Sequence, residues 1–127
     1  MKVNIKATNI KLTPALKTLI EHKIGNLDKF ISHPDGGIQA WVEVGMTTKG
    51  QQSGEIYRAE IQITIPHVDK GVRVESTSTD LYAAIEQAKD EMKVELRRLK
   101  DKKISLSRYG ARIIKDTLKF FKRENSS

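Results

Sequence analysis

The chain has 127 residues, a formal net charge of +7 and 38% hydrophobic residues, one domain's worth of chain with room for a tail. It contains no cysteine, which excludes a disulfide framework, a thiolate metal site and a thiol nucleophile and suits a reducing compartment. No apolar signal region follows "MKVNIKATNIKLTP" and no run approaches a membrane span, so the expectation is a soluble cytoplasmic protein, and a pI near 9.7 directs attention to a polyanionic partner.

The first segment, "KVNIKAT", alternates Val3, Ile5 and Ala7 against Lys2, Asn4 and Lys6, the pattern of a half-buried strand. "LTPAL" then opens a helix, with Thr13 as N-cap and Pro14 as its first position. Leu16, Ile20, Ile24, Leu27 and Ile31 follow at steps of three and four, and Leu19 and Phe30 widen the stripe. Gly25 within it costs about 1 kcal/mol against alanine and is read as permitting close packing. "SHPDGG" stops the helix.

The middle of the chain reads as β. "IQAWVEVGMTT" sets Ala40, Val42, Val44 and Met46 against Trp41 and Glu43, and "GQQSG" is a polar hairpin loop. In "EIYRAEIQITI", Tyr57, Ala59, Ile61, Ile63 and Ile65 share a face, while Arg58, Glu60, Gln62 and Thr64 take the other. After the turn "PHVDKG", "VRVEST" gives a last strand through Val72 and Val74. One apolar and one polar face suit an antiparallel sheet covered on one side. "STSTD" caps a second helix, with Asp80 placed in its first turn. Its core stripe is Leu81, Ile85, Ala88, Met92, Leu96 and Leu99.

The expected fold is therefore α+β, in the order β-α-β-β-β-α, with two helices packed on one face of a four-stranded sheet. Residues 1–104 form the domain. Residues 105–127 form a basic tail, in which "ARIIKDTLKFFKREN" is a short amphipathic helix or a disordered arm.

Charge is distributed unevenly along this order. Before Arg97 there are twelve basic and thirteen acidic residues, a balance of −1; from Arg97 onward there are eleven and three, a balance of +8. On the second helix Lys89, Lys93, Arg97 and Lys100 recur at steps of four, four and three and form one column. Arg98, Lys102 and Lys103 add charge at its end. Taken alone, such a column is a solvated face with cations at the negative end of the helix dipole, paired in part with Glu86, Asp90, Glu91 and Glu95. Because it runs into the +8 segment, a nucleic-acid partner takes precedence. A helical column of this kind reads phosphates, with the steep salt dependence of counterion release, and recognises rigid RNA by shape. No strand carries the aromatic pattern of a base-stacking platform, and Trp41 and Tyr57 read as packed or partly exposed sheet residues.

Nothing points to catalysis. His22, His33 and His67 share no spacing, and no HxxxH pair, P-loop or GxSxG elbow occurs. The expectation is no enzyme activity, no catalytic residue, no metal and no cofactor. The tail interleaves Ile113, Ile114, Leu118, Phe120 and Phe121 with Lys115, Lys119, Lys122 and Arg123. That composition serves docking on the domain, a membrane surface or ordering on RNA equally well.

"LTPALKTLIEHKIGNLDKF" after an alternating strand, and "STDLYAAIEQAKDEMKVELRRLKDKK" after the last strand, resemble the ribosome hibernation promoting factor family, which also carries the names ribosome-associated inhibitor and sigma-54 modulation protein. The resemblance covers roughly residues 1–103, and its most specific elements are "TPAL" and "TDLYAAI". It implies a fold similar to a double-stranded-RNA-binding domain and a non-enzymatic protein that silences idle ribosomes. Such a protein binds the small (30S) subunit and its 16S rRNA in the channel shared by mRNA and tRNA, with 70S or 100S ribosomes as further partners. It needs no membrane and no small-molecule substrate.

Lys17, Lys23 and Lys29 in the first helix match the family's basic pattern, as do Arg97, Arg98, Lys100, Lys102 and Lys103 later on. Lys89 and Lys93 enter from the helical column alone, and Arg108 and Arg112 from a tail that extends the contact along the channel. Asn26 stands where the family commonly carries a base, and "MKVE" (Met92 to Glu95) where many members read "LERQ", so the contacts are expected to be redistributed. The chain is expected to be a short form, without the separate C-terminal dimerisation domain. The rival readings are a generic double-stranded-RNA-binding module and a membrane-surface protein using the basic amphipathic tail.

Overall fold

A computed structural model describes residues 1–31, 37–47, 56–66 and 71–101. The elements run β1 (Lys2–Thr8), α1 (Pro14–Gly25), a 3-10 helix (Asn26–Phe30), β2 (Gln39–Thr47), β3 (Ile56–Thr64) and β4 (Val72–Ser78). The second helix, α2, follows over residues 81–101. The expected order β-α-β-β-β-α is the observed one. The loop "GQQSG", most of "SHPDGG" and "PHVDKG", and the tail 105–127 lie outside the described residues.

The strands form one sheet in the order β1-β2-β3-β4. Alternation sets which side each residue takes, and the register brings the apolar positions together. Val3 pairs with Ala40, Ile5 with Val42 and Ala7 with Val44. Ala40 then pairs with Ile63, Val42 with Ile61 and Val44 with Ala59, and Ile61 with Val74. Onto that face pack Leu16, Ile20, Ile24 and Leu27 from the first helical stretch, and Ala84, Ile85, Ala88, Met92 and Leu96 from α2, all buried in one core. Ile31, Leu81 and Leu99, expected inside, are half-buried at its margin.

Four expectations need correction. The sheet is mixed, not antiparallel: β1 runs parallel to β2, while β2–β3 and β3–β4 are antiparallel. A helix inserted between two neighbouring strands carries the chain back to its starting end, and that connection makes the strands parallel. The helix expected to run to Ile31 keeps α geometry only to Gly25 and tightens into the 3-10 turn. Gly25 permits no close approach, since a Cβ there would meet nothing within 4 Å. Asp80 is the N-cap of α2 and not a residue of its first turn: its Oδ1 accepts from the Tyr82 amide at 3.3 Å and its carbonyl from the Ala84 amide at 3.0 Å.

The start of α1 is as expected, with the Thr13 hydroxyl accepting from the Leu16 amide at 3.2 Å and Pro14 opening the helix. A glycine is required at Gly45, where a Cβ would come within 2.6 Å of the Thr8 carbonyl oxygen. The chain turns out of β1 at Asn9 with φ +60°, a conformation asparagine tolerates. No described helix covers the polar side of the sheet, and Trp41 there is 48% exposed.

Candidate nucleic-acid interface

Burying one face of each helix turns the remaining faces outward, and the basic residues of both helices lie there. Where α1 meets α2, the Glu86 carboxylate lies 2.5 Å from Lys23 Nζ through one oxygen and 2.5 Å from Lys89 Nζ through the other. Hydrogen bonds from Lys23 and then Lys89 hold the Glu86 carboxyl below its ordinary value, against the opposing effect of burial. The same Glu86 contact raises Lys89. Lys89 also lies 3.6 Å from Asp90. Lys23 and Lys89 are therefore tied to each other through one acid and compensated in part.

One turn further along α2 the arrangement changes. The Phe30 ring, at the end of the 3-10 helix, has Lys93 Nζ at 5.2 Å, Lys29 Nζ at 5.3 Å and the Arg97 guanidinium at 5.4 Å from its centroid, within cation–π range. Neither these three cations nor the exposed Lys100 has an ion pair with another described residue. Arg98, 74% exposed, contacts Glu95 at 3.0 Å, and Lys17 lies 3.8 Å from Glu21. Positive charge on the helix layer is thus balanced near the start of α2 and unbalanced near its end.

The polar side of the sheet is organised differently. Arg58 is paired with Glu43, Glu60 and Glu75, and Arg73 with Glu60 at 2.7 Å and Glu75 at 3.5 Å. The Arg73 hydrogen bond, joined by Arg58, holds the Glu60 carboxyl low. Contact with Glu75 raises Arg58, and contact with Glu60 raises Arg73. These five charges satisfy one another, while Lys2 and Lys6, exposed on the same side, have no ion pair with another described residue. The larger group of unpaired cations, Lys29, Lys93, Arg97 and Lys100, is on the helix layer.

Of the residues expected from the sequence, Lys29, Lys93 and Arg97 come together at Phe30, and neither they nor Lys100, the next basic residue along the α2 column, have an ion pair among the described residues. Lys17, Lys23, Lys89 and Arg98 lie on the same layer with acidic neighbours. Lys102, Lys103, Arg108 and Arg112 lie outside the described residues, as do His33 and His67. Phe30, which its spacing places in the apolar stripe, also meets three of these cations with its ring; the sequence signal for this was the adjacent Lys29. Among the described residues no group of three or more histidine, cysteine or acidic side chains is placed to hold a metal ion, and no helix is long and apolar enough to cross a membrane.

Residues 3–104 match the family model described as Sigma 54 modulation protein / S30EA ribosomal protein. The chain belongs to this family. It is 32% identical over 102 residues to the ribosome hibernation promotion factor of Bacillus subtilis, covering 80% of this chain and 50% of that protein. Against the factor of the same name from Lactococcus lactis it is 31% identical over 101 residues, with 79% and 50% covered. The chain thus spans about half the length of these curated relatives. Among solved structures, the N-terminal domain of Thermus thermophilus Protein Y superposes with a TM-score of 0.63 at 32% identity, covering 78% of this chain and 99% of that one. A ribosomal subunit interface protein from Coxiella burnetii, at 15% identity and TM-score 0.62, covers 80% and 99% and shares the fold. The family match ends at residue 104, so the helix layer and its cations all lie within the S30EA segment.

Proposed function

We propose that this chain is a ribosome hibernation factor: a cytoplasmic, non-enzymatic protein that binds the small subunit through 16S rRNA in the mRNA and tRNA channel and inhibits translation in idle cells. The observation that carries this reading is the positive charge of Lys29, Lys93, Arg97 and Lys100 at one end of the helix layer, without an ion pair among the described residues, in a chain of the S30EA family. A rigid surface of that kind engages backbone phosphates at fixed spacing and reads no bases. Occupation of the channel then excludes mRNA and tRNA sterically, with no reacting group required. Similarity to ribosome hibernation promotion factors supports the hibernation role. Lys17, Lys23, Lys89 and Arg98 flank the contact, and Lys102, Lys103, Arg108 and Arg112 extend it beyond the described residues.

The test is co-sedimentation with purified small and large subunits through sucrose gradients over a salt series. Association with the small subunit that weakens steeply with salt and is displaced by mRNA with initiator tRNA is the expected result. Equal affinity for any long RNA duplex would replace the reading with generic duplex binding. Binding to anionic liposomes, with none to subunits, would refute it.

A further inference from the structure

We propose that Phe30 is a positioning residue that assembles Lys29, Lys93 and Arg97 into one phosphate site, which takes a backbone phosphodiester of RNA. This rests on the rRNA-binding reading above and names one subsite within it. All three cationic groups lie 5.2–5.4 Å from the same ring centroid. No two of them can then be farther apart than about 11 Å, close to the screening length of roughly 8–10 Å at moderate salt. None of the three has an ion pair with a described acid, and like charges held this near repel one another. The negative faces of the ring hold them in spite of it. An anion seated among them removes the repulsion and gains several charge-assisted hydrogen bonds at once.

The site is built from two elements. Lys29 and Phe30 come from the 3-10 helix, and Lys93 and Arg97 from successive turns of α2. It exists only when the helices are packed. Long lysine and arginine side chains lose rotamer freedom on binding. The ring imposes part of that ordering beforehand, so the bound state is reached at lower entropic cost. Leucine would keep apolar volume at position 30 and lose the quadrupole, while tyrosine would keep an aromatic face.

The experiment uses the full chain with Phe30→Leu and Phe30→Tyr, each alone and in a background of Lys29→Gln, Lys93→Gln and Arg97→Gln. Affinity for purified small subunits over a salt series is read beside thermal unfolding. Phe30→Leu is expected to weaken binding about three- to tenfold with the fold intact at the assay temperature, and Phe30→Tyr to stay within about twofold of the unaltered chain. In the triple-glutamine background Phe30→Leu is expected to add nothing, because no cation is left to position. Unaltered affinity in Phe30→Leu, or an equal loss in the triple-glutamine background, overturns the proposal.

Failure of the unaltered chain to bind subunits would instead refute the rRNA reading. Pyrophosphate titration, followed through the Arg97 side-chain NMR signal, then separates the two. A saturable shift lost in Phe30→Leu sustains a phosphate site and reassigns its ligand to free phosphates. Absence of any shift in the unaltered chain overturns the site as well.

Discussion

Glu86→Gln should make the protein less stable and a tighter binder of its polyanion. The carboxylate ties α1 to α2 through Lys23 and Lys89, whose side chains are 31% and 24% exposed, and is itself 42% exposed. Partly exposed pairs are screened, so each contributes about 0.5 kcal/mol and the two together about 1 kcal/mol. For a domain of this size that corresponds to a fall in melting temperature of about 4–8 °C. Because Glu86 is held below its ordinary value of 4.5, its contribution is full above that value and is lost as pH falls through the depressed value in the folded state. The melting curves of the two proteins should therefore differ at pH 7 and converge once the pH has fallen below the depressed value. Binding should move the other way. Two cations are released from an acid, and about 1 kcal/mol of competing attraction disappears, which is about fivefold in affinity. Each additional neutralised phosphate steepens the logarithmic salt dependence by roughly 0.7–0.9. Calorimetric melting beside subunit binding at several salt concentrations measures both. A lower melting temperature with unchanged affinity and salt slope would show that Lys23 and Lys89 are structural ties that never meet the partner.

Other consequences are simpler to measure. Arg97→Glu with Lys100→Glu should reduce small-subunit affinity at least about a hundredfold and flatten the salt slope by about 1 per lost phosphate contact, while far-ultraviolet circular dichroism stays unchanged; retained affinity would remove the helix layer as the interface. Gly25→Ala should stabilise the chain by about 0.5–1 kcal/mol in urea unfolding, because the added methyl meets nothing within 4 Å. Asp80→Ala should cost about 1 kcal/mol through the lost cap at the Tyr82 amide, read as a lower urea midpoint at constant slope. Gly45→Val should unfold the chain or sharply reduce its melting temperature, since its Cβ would be driven against the Thr8 carbonyl.

What the sequence carried openly was the inside and outside of each element. Alternation at Ala40, Val42 and Val44 and the spacing of Leu16, Ile20 and Ile24 set the buried face by local geometry alone, and these residues are buried. Ala84, also buried, was missed because an alanine adds little to an apolar count. The direction of β1 was legible in principle, since a helix between β1 and β2 implies a parallel pair, but the alternating pattern is the same for both directions. The 3-10 turn at Asn26–Phe30 escaped because its apolar spacing continues that of α1. The basic column on α2 was visible; of the acids expected to pair there, Glu86 and Asp90 meet Lys89 and Glu95 meets Arg98, while Glu91 has no ion pair among the described residues. Hidden from the sequence was which bases are compensated from a distance. Lys23 and Glu86 are 63 residues apart, and Phe30 meets Lys93 and Arg97 only once the 3-10 turn is packed beside α2. Such pairings depend on tertiary placement, which no local periodicity encodes.

The distinction between formal and available charge is what assigns the faces. Arg58 and Arg73 are as cationic as Arg97, yet each is enclosed by glutamates on a sheet face where cross-strand neighbours stand at fixed register, with Glu43, Glu60 and Glu75 directly opposite one another. Three like charges in a row destabilise a sheet, and the two arginines relieve that repulsion, so their charge serves folding. On the end of α2 the reverse holds. Lys93, Arg97 and Lys100 form no ion pair with a described acid, and their mutual repulsion is a cost to the free domain. A ligand that supplies negative charge there is bound more tightly by the amount of repulsion it removes. The same reasoning makes stability and binding oppose each other across this surface: an added acid beside Arg97 would steady the free protein and weaken its complex, and loss of Glu86 would do the opposite.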